Sequence, residues 1–447
     1  MQSKLTVVAL ILVLALPSAP SEAQPQQEKG DLYRQFELLT RLVHEIQDKY
    51  VDDVDAKKLF EDACKGMLAG LDPDSQFLSG ESLNEFKTEA DGQFGGLGIE
   101  IGINDGVLSV LTPMRGSPAF RAGIMAGDRI LRIDGKDTKE MALREAVGRL
   151  RGRPGGKITL TVLHEGAQTP EDIVLTRESI RVPTVQGARM VHDQAKIAYV
   201  HLTNLGEKTA EELDRAIKTL EQEGMKALVL DLRFNPGGVV TAPPKDMLDR
   251  IRSRGIVVPA IGLSPAIEVA DRFISKGVIF STKGRKPASN DTFEARGKGT
   301  YPNFSLVVLV NKGTAAGAEI IAGAIRDHKR GILLGEKTFG KGSIQTLIPL
   351  EGGKSAVQLT TGKWFTPSGE CIHQAGIKPD LEVTLDVAQL KALGESMSKR
   401  HVEENRPAQD PRKAPPGTET KDFGDIQLQK AIELLKGMLE LRSRPAT

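Results

Sequence analysis

A lysine set between two glycines, in Gly340-Lys341-Gly342-Ser343-Ile344-Gln345, is the segment of this sequence best suited to proton transfer. The glycines let the backbone carry one amine close to a target, and a lysine that is neutral can take a proton from a hydroxyl. Just upstream, FSLVVLV (Phe304–Val310) reads as a strand buried on both faces. A small-residue loop, Asn311–Thr314, follows it, and Ile320, Ala324 and Ile325 then recur at helical spacing. Strand, tight loop and helix present backbone N–H groups at a helix N-terminus, where developing negative charge is stabilised. Gly335–Lys341 also fits the phosphate-loop spacing, but Gly342 stands where a Mg²⁺-binding hydroxyl is needed, and Ile344–Leu350 reads as strand rather than helix. Two of three requirements for nucleotide binding fail. Ser368 and His373 have no nucleophile elbow and no evident acid partner, so they make no triad.

A second glycine-rich turn lies earlier. Ile197–Leu202 (strand), Thr209–Glu223 (helix) and Ala227–Leu232 (strand) alternate as in an α/β sheet, and the last strand runs into DLRFNPGG, Asp231–Gly238. Taken together, these segments resemble the C-terminal processing (tail-specific) serine peptidases. In that family a loop of the type N-x-G-S-A-S-A-S-E precedes a G-K-G-x-x-Q loop; here they read NKGTAAGAE (Asn311–Glu319) and GKGSIQ (Gly340–Gln345). The resemblance implies an α/β (crotonase/ClpP-like) core and a Ser–Lys dyad. By that resemblance Lys341 is the base, partly buried so that it stays neutral, and Gln345 orients it. The amide of Gly238 (or Gly237) and that of Gly317 are then the oxyanion donors.

The family's serine falls on Ala316, which has no hydroxyl. Thr314 and Ser343 are the nearest alternatives, but loop residues two apart rarely aim at one point. Two readings stay open: a serine endopeptidase whose nucleophile is replaced, or a non-catalytic pseudopeptidase that binds or regulates through C-terminal tails. There is a second departure. The family runs almost directly from GG into a helix like LSPAIEVADRF (Leu263–Phe273), whereas residues 239–262 intervene here as a lid, a substrate-binding element or an obstruction.

Between these regions and the N-terminus, the ordered set GGLGI, SPA, AG, GDRI and DG (residues 95–135) resembles a PDZ domain. Its Leu97, Gly98 and Ile99 amides are placed to hold a terminal carboxylate while the peptide adds a strand to the sheet edge. Leu143 and Val147, one helical turn apart, are the expected walls for the last apolar side chain.

The remaining elements serve this site. Lys4, the apolar run Leu5–Leu16 and Ser21-Glu22-Ala23 read as a secretory signal peptide, implying an exported, periplasmic protein with no membrane span after its removal. Charges nearly cancel, 60 basic against 59 acidic, which argues against nucleic acid. Cys64 and Cys371 read as two free thiols, with no metal site and no cofactor expected. Six segments are expected: 1–23 signal peptide, 24–92 helical dimerisation region, 93–178 PDZ domain, 179–383 peptidase core, 384–425 linker, whose Pro-rich stretch (Arg406–Gly417) reads as disordered, and 426–447 helix. The fold class is multidomain α+β. The last helix carries Leu428, Ile432, Leu435 and Leu439 on one face, an expected dock for a sister subunit or an activating protein. Expected partners are unfolded or tail-bearing protein substrates and further copies of the chain in a homo-oligomer.

Overall fold

The computed structural model describes residues 25–443 apart from 81, 85, 87–93, 105, 115, 165, 181–182, 238–262, 288–289, 302 and 406–423. The expected signal peptide, the 239–262 insertion, the Pro-rich stretch and Gly238 therefore lie outside the described residues. Two units are distinct, divided after Met67. The first comprises α1 (Pro25–Lys49) and most of α2 (Ala56–Ala69). Its apolar stripe, with Leu32, Phe36, Leu42, Phe60 and Met67, is exposed.

The second unit opens with the turn Leu71–Ser75 and β1 (Gln76–Ser79). Residues 94–180 then form the PDZ-like part. β2 (Phe94–Gly96) pairs with β9 (Glu178–Ile180). A five-strand path runs β3 (Ile99–Asn104), β4 (Val107–Pro113), β5 (Arg129–Ile133), β7 (Lys157–Leu163), β8 (Glu171–Thr176), and β6 (Lys136–Asp137) joins β5. Ile130, Ile133, Ile158, Leu160 and Val162 alternate inward along these strands and close a core with Ala119 of α3 (Pro118–Arg121) and Ala146 of α4 (Leu143–Leu150). β3 lies at the edge of its sheet.

The peptidase-like part is built on a six-stranded sheet in the order β10 (Val185–His192), β11 (Ile197–Leu202), β12 (Ala227–Asp231), β15 (Ser305–Val310), β16 (Ile332–Gly335), β19 (Leu381–Glu382). All neighbours are parallel except β10 and β11. The continuous apolar runs are explained by burial on both faces. Ala198, Val200, Leu228, Leu230, Leu306 and Val308 face α5 (Thr209–Gln222), α6 (Leu263–Asp271) and α7 (Gly317–Asp327). A second sheet carries β1 on β18 (Ser355–Phe365), with β13 (Val278–Gly284), β14 (Asp291–Glu294) and β17 (Ser343–Leu350). Pairing Gln76 with Gln358 sets the Leu71–Ser75 turn beside the lysine loop.

Two expectations are corrected at the C-terminus. Within the expected linker, Val387–Asn405 is a helix, α8. Asp386 and Gln389 cap each other's backbone N–H, at 2.8 and 3.0 Å, and Leu393 is buried. The last helix, α9 (Ile426–Ser443), needs no partner for its stripe. Leu428, Ala431 and Leu435 close the other face of the chain's own sheet, against Ile197, Tyr199, Val229, Val307 and Leu309. Leu435→Ala is therefore expected to cost about 3 kcal/mol of stability, as for a large-to-small core change. Urea denaturation checks this; an unchanged midpoint would mean the helix is not part of the core.

Candidate active site

The DLRFNPGG turn is fixed by its own side chains. Asn235 donates through Nδ2 to Leu202 O (2.7 Å) and accepts at Oδ1 from the Gly237 N–H (2.8 Å), while its carbonyl accepts from Ala315 N–H (2.9 Å). Asn311 Oδ1 accepts from the Phe234 and Gly313 amides, at 3.0 and 2.9 Å. The turn thus lies directly on the loop before α7. At Gly237 (φ +93°), a Cβ would come within 2.5 Å of Ala315 O and 2.6 Å of Gly317 N. Only glycine fits that approach. Because the Gly237 N–H is already engaged, it is not a free donor, and the alternative, Gly238, is outside the described residues. The Gly317 N–H, at the start of α7, meets no acceptor among the described residues.

Ala316 occupies the corner between loop and helix, half-buried, with φ 48° and ψ −115°. A residue with a Cβ held there is strained by about 1–3 kcal/mol and persists only where its surroundings hold it. Glu319 supplies that hold. Its fully buried carboxylate accepts through Oε2 from the Ala316 N–H (2.9 Å) and from the Lys341 N–H (2.8 Å). Oε1 accepts from the Gly340 N–H (2.7 Å) and from the Thr338 hydroxyl. One oxygen atom therefore separates the backbones of Ala316 and Lys341. Burial pushes the Glu319 carboxyl above its ordinary value, against the pull of these four donors. Thr314 is not a spare nucleophile: its buried hydroxyl donates to Leu232 O (2.8 Å) and accepts from Asn311 N–H (3.0 Å).

The lysine loop is equally tight. A Cβ on Gly340 would meet Gly376 N at 2.7 Å, and one on Gly342 would meet His373 N at 2.7 Å. The Trp364 indole donates to Lys341 O (3.1 Å). The lysine side chain, however, is more than a third exposed and ion-paired, Nζ to Asp74 Oδ1 at 3.1 Å. Gln345 does not reach it directly. Its amide donates to Asp74 Oδ2 (3.3 Å) and Thr360 Oγ1 (3.2 Å), and Ser343 Oγ donates to Asp74 Oδ2 (2.6 Å). Asp74 thus joins Lys341, Ser343 and Gln345, and stands between the lysine and the Gln345 expected to orient it. The turn carrying it is set by Asp72, which accepts from the Asp74 and Ser75 amides (2.8 and 2.9 Å) and from Thr360 Oγ1 (3.0 Å).

Sequence reasoning missed Asp74 and the role of Glu319. For Glu319 a signal existed, since a glutamate three residues past a helix N-cap is at capping-box spacing. For Asp74 none did beyond the Asx-turn pattern of Asp72 and Ser75, because its contact lies across the sheet.

In the PDZ-like part, Leu97 O and Gly98 O accept from Ala119 N (3.0 Å) and Met114 N (2.8 Å), whereas the Leu97 and Gly98 N–H groups donate to none of the described residues. Gly98 has φ +67°, and a Cβ there would come within 2.2 Å of Ser117 Cβ. Ile99 opens the edge strand β3. Leu143 and Val147 of α4, which packs beside β3, are exposed and half-buried respectively. The five residues expected to bind a peptide thus lie on the turn before β3, at its first residue and on the helix packed beside it.

This fold and site define a PDZ-bearing peptidase. The Peptidase family S41 model matches residues 196–259 and 262–383, and the PDZ domain model residues 86–163. The carboxy-terminal-processing protease of Bartonella bacilliformis is 35% identical over 414 residues, spanning 91% of this chain and 89% of that protein. The carboxy-terminal processing protease CtpA of Bacillus subtilis is 35% identical over 392 residues, 87% of this chain and 77% of that one. Among solved structures, the photosystem II D1 C-terminal processing protease has a TM-score of 0.45 at 28% identity, covering 78% of this chain and 92% of that one. The chain belongs to the carboxy-terminal processing serine proteases.

Glu319→Gln tests the carboxylate bridge. An amide NH₂ would face two N–H donors, so the change is expected to cost about 3 kcal/mol. Equilibrium unfolding reads the loss, and a cost below about 0.5 kcal/mol would show that the bridge holds nothing.

Proposed function

We propose that this chain is the scaffold of an exported Ser–Lys endopeptidase that takes protein substrates by an apolar C-terminal tail, and that with Ala316 it holds them without cutting. The single observation behind this is the Glu319 Oε2 atom shared by the Ala316 and Lys341 amides. It supports a nucleophile position and a lysine loop held side by side, next to the Gly317 N–H, which meets no acceptor among the described residues. A serine at 316 would attack the scissile carbonyl while a neutral Lys341 takes its proton; the lysine would pass that proton to the leaving amine as the peptide C–N bond breaks, and water would hydrolyse the resulting acyl-enzyme. The oxyanion would accept from Gly317 and Gly238. Lys341 is engaged by Asp74, so it must leave that carboxylate before it can take the proton. Alanine permits none of these covalent steps but leaves the cleft and the PDZ groove intact, which supports capture of tails by the chain as it stands. No metal or cofactor enters this reading. The exposed stripe of α1 and α2 supports self-association or an activating partner, and the N-terminal apolar run supports export to the periplasm.

Three proteins are compared on an unfolded substrate with an apolar C-terminus: this chain, Ala316→Ser, and Ala316→Ser with Lys341→Ala. Only Ala316→Ser is expected to cut, with the lysine variant lower by about 10³-fold or more. Cleavage by the unaltered chain would place the nucleophile elsewhere and overturn the assignment.

Tail binding is a separate prediction. Val147→Asp is expected to weaken binding of an apolar C-terminal peptide by about tenfold or more in fluorescence anisotropy. Equal binding by the variant, or equal binding of the C-terminally amidated peptide, would remove the PDZ groove from the reading.

A further inference from the structure

Arg233 sits at the root of the oxyanion turn with none of its side chain exposed. A buried guanidinium is tolerated only when its donors are paired. One edge is met by Asp231: Nε lies 3.0 Å from both carboxylate oxygens and Nη2 2.6 Å from Oδ2. The other edge is met from the far end of the chain. Nη1 donates to Asp425 Oδ1 (2.9 Å) and Gln427 Oε1 (3.0 Å), and Nη2 to Asp425 Oδ2 (2.8 Å). Burial works against the charge, but Asp231 and Asp425 hold Arg233 well above the usual guanidinium range.

Asp425 has a second task. The same Oδ1 accepts from the Leu428 N–H (3.0 Å), capping α9. Gln427 is held in turn, its Nε2 donating to Val383 O (2.6 Å). The start of α9 and the root of the turn therefore share one carboxylate. From Arg233 the chain enters Phe234 at φ +60° and continues to Asn235 and Gly237, which rest on Ala315 and Gly317.

We propose that Asp425 is a positioning residue for peptide hydrolysis: acting through Arg233, it uses the C-terminal helix to set the Phe234–Gly237 turn. This rests on the active-site reading above. Asparagine caps a helix as well as aspartate does, so Asp425→Asn keeps the cap and removes the paired charge. Leu435→Ala loosens the same helix without touching Arg233.

The test has two readouts on the full chain. In the unaltered Ala316 background, hydrogen exchange is followed at the Phe234, Asn235 and Gly237 amides. In the Ala316→Ser background, kcat and KM are measured per folded molecule. With Asp425→Asn, exchange at the turn is expected to quicken by about tenfold or more relative to β12. Its kcat should fall by about tenfold or more, with KM within about twofold. Leu435→Ala should lower the unfolding midpoint but leave kcat per folded molecule unchanged. Unaltered exchange in Asp425→Asn overturns the proposal, as does an equal loss of kcat in Leu435→Ala. If exchange quickens but Ala316→Ser shows no Lys341-dependent turnover, the hold on the turn stands and the catalytic reading of the site fails.

Discussion

One buried carboxylate organises the site. Glu319 receives four hydrogen bonds, from Ala316, Thr338, Gly340 and Lys341, and so ties the start of α7 to a loop more than twenty residues later in the chain. Burying a carboxylate is costly unless its oxygens are met by donors, and here they are met by backbone N–H groups that would otherwise lie unpaired at a helix start and a tight loop. The arrangement is reciprocal. The loops satisfy the charge, and the charge holds them in a geometry that their sequences would not adopt alone. The Ala316 corner keeps its positive φ under that hold, while the two glycines flanking Lys341 answer to the close approach of residues 372–376.

A second buried charge plays the corresponding part for the Phe234–Gly237 turn. Arg233, Asp231, Asp425 and the Tyr199 hydroxyl, which donates to Asp231 Oδ2 (2.8 Å), form a closed set beneath the sheet. Asp231 is held below its usual range because Arg233 outweighs the cost of burial, while Tyr199 is pushed well up by burial and by Asp231. Apolar residues of similar volume often stabilise as well as such clusters, so stability alone is a weak reason for one. Its position argues for register. It joins the end of β12, the turn that follows and the first turn of α9, three elements that must meet correctly for the cleft to have its shape.

Much of this was legible in the sequence. The core strands announced themselves as unbroken apolar runs, because both faces of the sheet are covered. Lys341 and the two glycine-rich turns stood out because close backbone approach demands glycine at Gly237, Gly340 and Gly342. What was illegible depends on contacts distant in sequence. The stripe of Leu428 and Leu435 shows that α9 must bury a face, but not that the face belongs to its own sheet. Asp74 reads as one more turn residue until β1 pairs with β18 and carries it to Lys341. The partner of the Lys341 amine was illegible for the same reason, since a carboxylate from another element holds it at a partly open surface.

The site's construction explains why alanine at 316 leaves it intact. The hydrogen bonds that shape the corner use the residue's backbone: its N–H goes to Glu319 and its carbonyl accepts from the Glu319 and Ile320 amides, while Gly237 packs against Ala315 O, Gly317 N and the Ala316 Cβ. The Gly317 N–H and the seat of the Lys341 loop are likewise backbone features. The hydrogen bonds at this corner therefore do not depend on which side chain position 316 carries. The local strain remains with alanine or serine, at about 1–3 kcal/mol. It is offset by the Glu319 bridge rather than by any bond from the missing oxygen. The corner is thus held by backbone hydrogen bonds that any residue but proline at 316 would make.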